Sequence, residues 1–246
     1  MSSSPSKPVL RLDWCSHAAA KYAVEHWHYS RRMPDPKRVK VGVWEDGVFV
    51  GVVIFSRGVS ATKISKTMGI SSVEIAELSR VALSTHRTPT TRIVSIALAM
   101  LKAKDSGLRV IVSYADENQG HLGIIYQGGN WIYTGRSARV ALFRDASGRM
   151  IHDRACSASG VKRQFGLLKR APKPENLTRI EQLPKWRYFM PLDPEMRAKI
   201  LPLAKPYPKR ERSIGIDAAG TTSRGRCDAT RSLQPEQATT REPSPA

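Results

Sequence analysis

Asp116 and His121 stand in a polar turn, Ser113-Tyr-Ala-Asp-Glu-Asn-Gln-Gly-His121, that follows the apolar run Val110-Ile-Val112. A carboxylate and an imidazole just past a buried strand sit where open α/β sheets place ligands, and both can accept or hold a proton. Asp116 is the leading base, and it can equally ligate a metal or cap its own turn. Ser113 reads as a cofactor contact or as a residue that fixes the turn through backbone amides. His121 reads as a substrate contact or as packing.

His28 and Tyr29 form a second reactive pair. With Asp116 they make a mixed nitrogen and oxygen set, suited to iron or another first-row transition metal, if a helix ending near residue 27 brings them to the sheet's open edge. Glu77 and Arg80 form a third pair, because both are too polar for the plain core strand that the surrounding sequence, Val-Glu-Ile-Ala-Glu-Leu-Ser-Arg-Val-Ala-Leu over 73–83, otherwise describes. A structural ion pair is the alternative there.

These side chains need a scaffold. Ser16 suits the N-cap of a helix over 17–27 whose buried face would be Ala19, Tyr22, Ala23 and His26. Pro34 and Pro36 make 31–40 a loop. Residues 39–45 and 48–55 are β-branched and aromatic around Asp46-Gly47, a strong hairpin signal. An excursion over 56–72 leads to the long strand at 73–83. Ile93, Ile96, Ala97, Met100 and Leu101 mark one face of an amphipathic helix that stops before Gly107. The segment 109–135 then reads as strand, turn, short helix ending at Gly128-Gly129, and strand. A hairpin over 139–144 and 149–155 follows, residues 157–184 look irregular, and 186–190 form a last strand.

The chain has 246 residues and a formal net charge of +19, an imbalance that calls for a polyanionic partner. Residues 205–246 hold eight basic and five acidic residues, so the excess lies in the folded part. Residues 136–190 alone hold thirteen basic against four acidic. Candidate phosphate contacts are Arg31, Arg32, Lys37 and Arg38 in one basic segment, and Lys162, Arg163, Lys169 and Arg170 in the other. Three scattered cysteines indicate neither a disulfide framework nor a cysteine zinc site. With no signal-peptide core and no apolar run of about 20 residues, the expectation is a soluble cytoplasmic protein with no membrane contact. Its domains read as a disordered start over 1–8, one α/β domain over 9–204, and a disordered basic tail over 205–246.

The order of hairpin, long strand, amphipathic helix, strand, short helix and strand resembles the GNAT acetyltransferase fold, a single mixed central sheet flanked by helices. Ile-Ile-Tyr-Gln-Gly-Gly-Asn-Trp at 124–131 resembles that fold's helix ending in a tyrosine before a glycine-aromatic turn. His-Trp-His-Tyr at 26–29, Glu-Leu-Ser-Arg at 77–80 and Ser-Tyr-Ala-Asp-Glu-Asn-Gln-Gly-His at 113–121 more narrowly resemble the phage Mom family of DNA modification proteins. That resemblance implies a phage-encoded enzyme of the host cytoplasm. It would convert the N6 amine of adenine in double-stranded DNA to a carbamoylmethyl form, against host restriction. The likeness to the acetyltransferase fold implies that Tyr126 is a general acid, that Glu77 is a general base, and that Arg80 binds the donor or pairs with Glu77.

One departure stands out. The phosphate-cradling loop of acetyltransferases is glycine-rich, whereas Ser-Thr-His-Arg-Thr-Pro-Thr-Thr-Arg at 84–92 has no glycine. Arg87, Thr91 and Arg92 can still bind a phosphate, but the donor stays open between an acyl-CoA and a charged tRNA. An adenine flipped from its stack needs aromatic and cationic partners, here Trp131, Tyr133, Trp186, Tyr188, Lys185 and Arg187. A basic DNA-binding or packaging protein, and an acetyltransferase acting on a protein or RNA amine, are the competing readings. A homodimer on duplex DNA is compatible with all that the sequence says.

Overall fold

A computed structural model describes residues 6–34, 38–58, 61–139, 141–164 and 166–209, apart from the side chains of Arg38 and Gln164. Lys37, the Arg38 side chain and the tail from 210 onward lie outside these residues.

The chain runs β1 (Leu10–Trp14), α1 (His17–Trp27), β2 (Arg38–Glu45), β3 (Val48–Ser56), α2 (Ala61–Met68), β4 (Ile75–Leu83), α3 (Thr90–Lys104), β5 (Val110–Ala115), α4 (Ile124–Gln127) and β6 (Ile132–Arg136). It continues with β7 (Leu142–Arg144), β8 (Met150–His152), β9 (Val161–Gln164), β10 (Leu167–Arg170), β11 (Thr178–Ile180), β12 (Trp186–Pro191) and α5 (Pro194–Ile200). Seven strands form one sheet in the order β1-β2-β3-β4-β5-β12-β6. The resemblance-derived mixed sheet flanked by helices is therefore present.

The hairpin of β2 and β3 turns at Asp46 and Gly47, both at positive φ (51° and 81°), as a tight two-residue connection between twisted strands demands. β4 and β5 are parallel neighbours, and α3 makes the crossover between them. Their pairing runs only from Ile75–Val110 to Glu77–Val112, although β4 continues to Leu83 and β5 to Ala115. The two strands therefore part beyond Glu77, and the side chains that follow on each lie at the opening.

Helices cover both faces. α3 packs Ile93, Val94, Ala97, Leu98 and Leu101 against Val41, Val53, Phe55 and Ile111. On the other face α2 and α5 bring Ile64, Met196 and Ile200 onto Val110, Val112, Ile132 and Phe189. α1 is capped by Ser16, whose hydroxyl accepts from Ala19 N, as expected. Its buried face is nevertheless Ala20, Ala23 and Val24, which lie on Val52, Ile54 and Ala82. Tyr22 and His26 are exposed and stack on each other at 4.1 Å. Small side chains let α1 approach the sheet closely, and the bulky pair that suggested a core face turns outward.

Three further expectations are corrected. β1 precedes the hairpin at the sheet edge, and the excursion at 56–72 contains α2. Residues 157–184 are not irregular: β9 and β10 form a separate hairpin, and β11 joins β7 and β8 in a small sheet. After β12, α5 is tied to β5 by Arg109, whose guanidinium donates to both carboxylate oxygens of Asp193 (2.8 and 3.0 Å) and to Glu195 (2.9 Å). Residues 205–209 are held to β6 rather than solvated, with Lys205 N donating to the Tyr133 carbonyl (2.8 Å) and Tyr207 Oη to the Trp131 carbonyl (2.7 Å). Among the described residues no helix is long and apolar enough to cross a membrane.

Candidate active site

Where β4 and β5 separate, Ser113 bridges them. Its Oγ lies 2.8 Å from the Leu78 carbonyl and 2.8 Å from Tyr126 Oη. A hydroxyl carries one proton. Ser113 therefore donates to Leu78, which has only lone pairs, and Tyr126 donates to Ser113. Ser113 is fully buried, so its role as a cofactor contact is replaced by that of a bridge between diverging strands. Burial raises the Tyr126 phenol above its ordinary range. Its proton is already committed inside the protein.

Asp116 follows β5 and is nearly buried. Oδ1 accepts from Asn118 N (3.1 Å) and Asn118 Nδ2 (3.0 Å), which is the turn-capping role that stood as the alternative to a base. Oδ2 meets Lys185 Nζ at 2.9 Å and accepts from Tyr29 Oη at 3.4 Å. Burial alone would raise this carboxyl, but the Lys185 ammonium and the Asn118 bonds outweigh it and hold it below the usual range. Tyr29 is pushed up to about 12, first by burial and then by the Asp116 charge. The Tyr29 ring also meets the exposed His121 edge to face at 5.2 Å. The structure thus joins His121, Tyr29 and Asp116 at one sheet end.

His28 packs against Tyr29 with ring centroids 4.4 Å apart and the planes tilted by 31°. Burial, then the charges of Arg80, His121 and Lys185, lower it to about 4, so it is neutral. Ser30 N donates to Nδ1 (3.1 Å), which fixes the lone pair there and leaves a proton on Nε2. The donor set expected for iron or another metal therefore does not converge. One Asp116 oxygen already faces a lysine cation, the other is held by amides, and the outward nitrogen of His28 is a donor.

Glu77 has a different setting. It sits on β4 at the meeting of two cavities, and no hydrogen bond to its carboxyl occurs among the described residues. One cavity, of about 390 Å³, is lined by Lys63, Tyr114, His152, Lys185 and Arg187 among others. The other, of about 270 Å³, is lined by Ser30, Arg32, Ser79, Arg80, His152 and Arg154 among others. Burial raises the Glu77 carboxyl above its ordinary value, against the opposing charges of Arg80, Lys185 and Arg154. Gly58 packs directly on it, since a Cβ there would lie 2.4 Å from Glu77 Oε2. Arg80 reaches across to the loop after α1, donating from Nε to the Arg32 carbonyl (3.1 Å).

His152 and Arg154 were not legible as site residues. They arrive from β8 and the turn after it, nearly 80 positions from Glu77, with no motif to mark them. Lys185, expected beside a flipped base, pairs with Asp116 and also lines the larger cavity.

The loop at 84–92 holds an anion, and that anion is internal. Glu45 accepts from Arg87 N (2.7 Å), Thr88 N (2.8 Å) and Thr88 Oγ1 (2.7 Å). The Arg87 guanidinium pairs with Asp46. Thr91 and Arg92 begin α3, with Arg92 exposed. Of the expected stacking aromatics, Trp131, Tyr133 and Tyr188 are core residues. Trp186 is partly exposed, with the Arg136 guanidinium 4.1 Å over its ring. Arg31 and Arg32 are exposed, Arg32 lines the smaller cavity, and Lys162, Arg163, Lys169 and Arg170 are exposed on the hairpin of β9 and β10.

The chain is 25% identical over 206 residues to "Methylcarbamoylase mom" of Escherichia phage Mu, covering 81% of this chain and 84% of that protein. Among solved structures it resembles FeeM, an N-acyl amino acid synthase from uncultured soil microbes. The TM-score is 0.43 at 10% identity, over 78% of this chain and 94% of that one. The Mom protein family model matches residues 9–209, and the chain belongs to that family.

Proposed function

We propose that the protein is a transferase that places a carbamoylmethyl group on the N6 amine of adenine in phage DNA and thereby protects that DNA from host restriction enzymes. Membership of the Mom family and the likeness to the phage Mu methylcarbamoylase support the class of reaction. The observation that carries the site is Glu77, a half-buried carboxyl of raised pKa at the meeting of two cation-lined cavities.

The larger cavity has room for a purine, and the cations around both cavities suit its phosphates. The N6 lone pair is delocalised into the ring, so the amine needs a positioned base as well as an activated carbon. The N6–C bond forms, the donor's leaving group departs with the bonding pair, and one N6 proton passes to Glu77. A carboxyl held above its usual pKa is a stronger base than an ordinary glutamate. Asp116 is ionised and holds Tyr29 and Lys185 in place at the neighbouring sheet end. An acyl-CoA or a charged tRNA would present a carbonyl carbon and acylate N6, so direct transfer of a carbamoylmethyl group needs a donor whose methylene carbon carries the leaving group. Transfer of acetyl from acetyl-CoA to a protein or RNA amine draws no support from the loop at 84–92, whose amides already hold Glu45.

Nucleoside mass spectrometry of DNA from cells expressing wild-type and Glu77→Gln protein tests the proposal. An adenine adduct in wild-type DNA that falls at least about a hundredfold in the variant is the expected result. Unmodified DNA from cells that make ample folded wild-type protein refutes it. Normal modification by Glu77→Gln removes the base from Glu77.

A further inference from the structure

Among the described residues, the hairpin of β9 and β10 has no buried side chain. Leu167 and Leu168 are 64% and 69% exposed and Val161 is 42% exposed. The register pairs Leu167 with Gln164, Leu168 with Arg163, Lys169 with Lys162 and Arg170 with Val161. Directly paired residues share a face, and neighbours along a strand alternate. One face therefore carries Leu167 with Lys162 and Lys169, and the other carries Leu168 with Arg163 and Arg170. Leu167 is on the pair next to the turn, and Leu168 is on the second pair, directly opposite Arg163. Residues 161–170 contain no acidic residue.

A two-stranded hairpin standing alone is marginally stable in water, and two exposed leucines add nothing to it. This one is fixed at its base. Ser157 N donates to the Pro172 carbonyl (3.0 Å), and Ala171 N donates to the Gly160 carbonyl (2.9 Å). The Lys162 ammonium donates to the Arg154 carbonyl. Arg154 lines the smaller cavity at Glu77. The hairpin is thus an arm rooted at the rim of the candidate active site, with apolar residues at its end and cations along both faces.

We infer that this arm is a DNA wedge: Leu167 and Leu168 enter the base stack beside the adenine to be modified, and Lys162, Arg163, Lys169 and Arg170 hold the flanking phosphates. The chemistry of the partner follows from the arm. Cations on both faces match the two phosphate strands of a duplex, and aliphatic wedges inserted between base steps unstack them. An apolar end without cations would suit a protein groove, and cations without leucines would suit simple backbone contact. An enzyme that acts on a base inside a duplex must extrude it, and extrusion leaves a gap in the stack that an aliphatic side chain fills. This inference rests on the proposal that the substrate is duplex DNA.

The test uses the full chain and a short duplex carrying 2-aminopurine in place of adenine, whose fluorescence rises on unstacking. Duplex binding is followed by anisotropy across a salt series. Leu167→Ser/Leu168→Ser is expected to bind within about threefold of wild type with the same salt dependence, because phosphate contacts dominate affinity, while its fluorescence rise falls about tenfold. Lys162→Ala/Lys169→Ala is expected to weaken binding and flatten the salt slope, and circular dichroism checks that both variants fold. If wild type binds no duplex, the wedge falls together with the proposed function. If wild type binds and modifies DNA while the leucine variant unstacks the base normally, the wedge alone is overturned.

Discussion

Replacing Ser113 by alanine orphans two buried groups at once, the Leu78 carbonyl and the Tyr126 hydroxyl, because the serine accepts from one and donates to the other. An unsatisfied buried donor or acceptor costs about 1–3 kcal/mol, and a carbonyl lies at the lower end, so Ser113→Ala should lose about 2–4 kcal/mol. Tyr126→Phe removes the donor but leaves the Ser113 bond to Leu78 intact, which costs about 1 kcal/mol. In the double variant the tyrosine hydroxyl no longer exists to be orphaned. It should therefore be more stable than Ser113→Ala alone by about 1 kcal/mol or more, although it carries an additional truncation. Urea unfolding of the four proteins, with equal slopes as the check on two-state behaviour, measures the cycle. Losses that simply add would refute the relay and leave Tyr126 without the partner described here.

Two further outcomes follow from the geometry. The Arg109 bond to Asp193 lowers the carboxyl from 3.8 to about 2, so the unfolded chain takes up the proton first on acidification. The bond's stabilisation is present in full above the unfolded value and is lost as pH falls through the folded one. The urea midpoint of the wild type should fall more steeply across that window than that of Asp193→Asn, and parallel falls would exclude the pair as the cause. Gly123 caps α4 at φ 76°, and a Cβ there would lie 2.5 Å from the Tyr188 ring. Gly123→Ala should destabilise by about 2–3 kcal/mol through backbone strain and displacement of that ring, measured as a fall in melting temperature of several degrees. An unchanged melting temperature would show that the ring has room to move.

Local signals revealed the central elements and few of the contacts. Asp46-Gly47 set the hairpin, the apolar stripe from Ile93 to Leu101 set α3, and the polar run after Val112 marked the turn at Asp116. Each depends on residues close together in the chain. β9, β10 and β11 were missed because periodicity reads the alternation between a buried and an exposed face, and most of their residues are exposed on both faces. The face of α1 was misassigned because Tyr22 and His26 are large and correctly spaced, while the sheet selects the small Ala20 and Ala23. At the site, Glu77 and Arg80 were visible as polar residues in an apolar strand, and Asp116 as part of the polar turn after β5. His152 and Arg154 were not, because nothing in a short β-hairpin states which cavity it will border.

The charge at Asp116 shows how a distant strand completes the site. β12 lies antiparallel between β5 and β6, with Trp186 opposite Ala115, so the residue before Trp186 falls beside the one after Ala115. Those residues are Lys185 and Asp116. The register is fixed by burial on both faces of the sheet. Tyr188 fills the core under α3 and α4, and Phe189 fills the core under α2 and α5. A slip by one residue would exchange these two faces and carry Lys185 away from the carboxylate. With Lys185 in place, Asp116 stays ionised beside a neutral Tyr29 and a neutral His28. Without it, a nearly buried carboxylate would keep only amide and phenol donors, and burial would raise its pKa. Packing about 70 positions downstream therefore sets the protonation of the turn that holds the sequence's most conspicuous polar cluster.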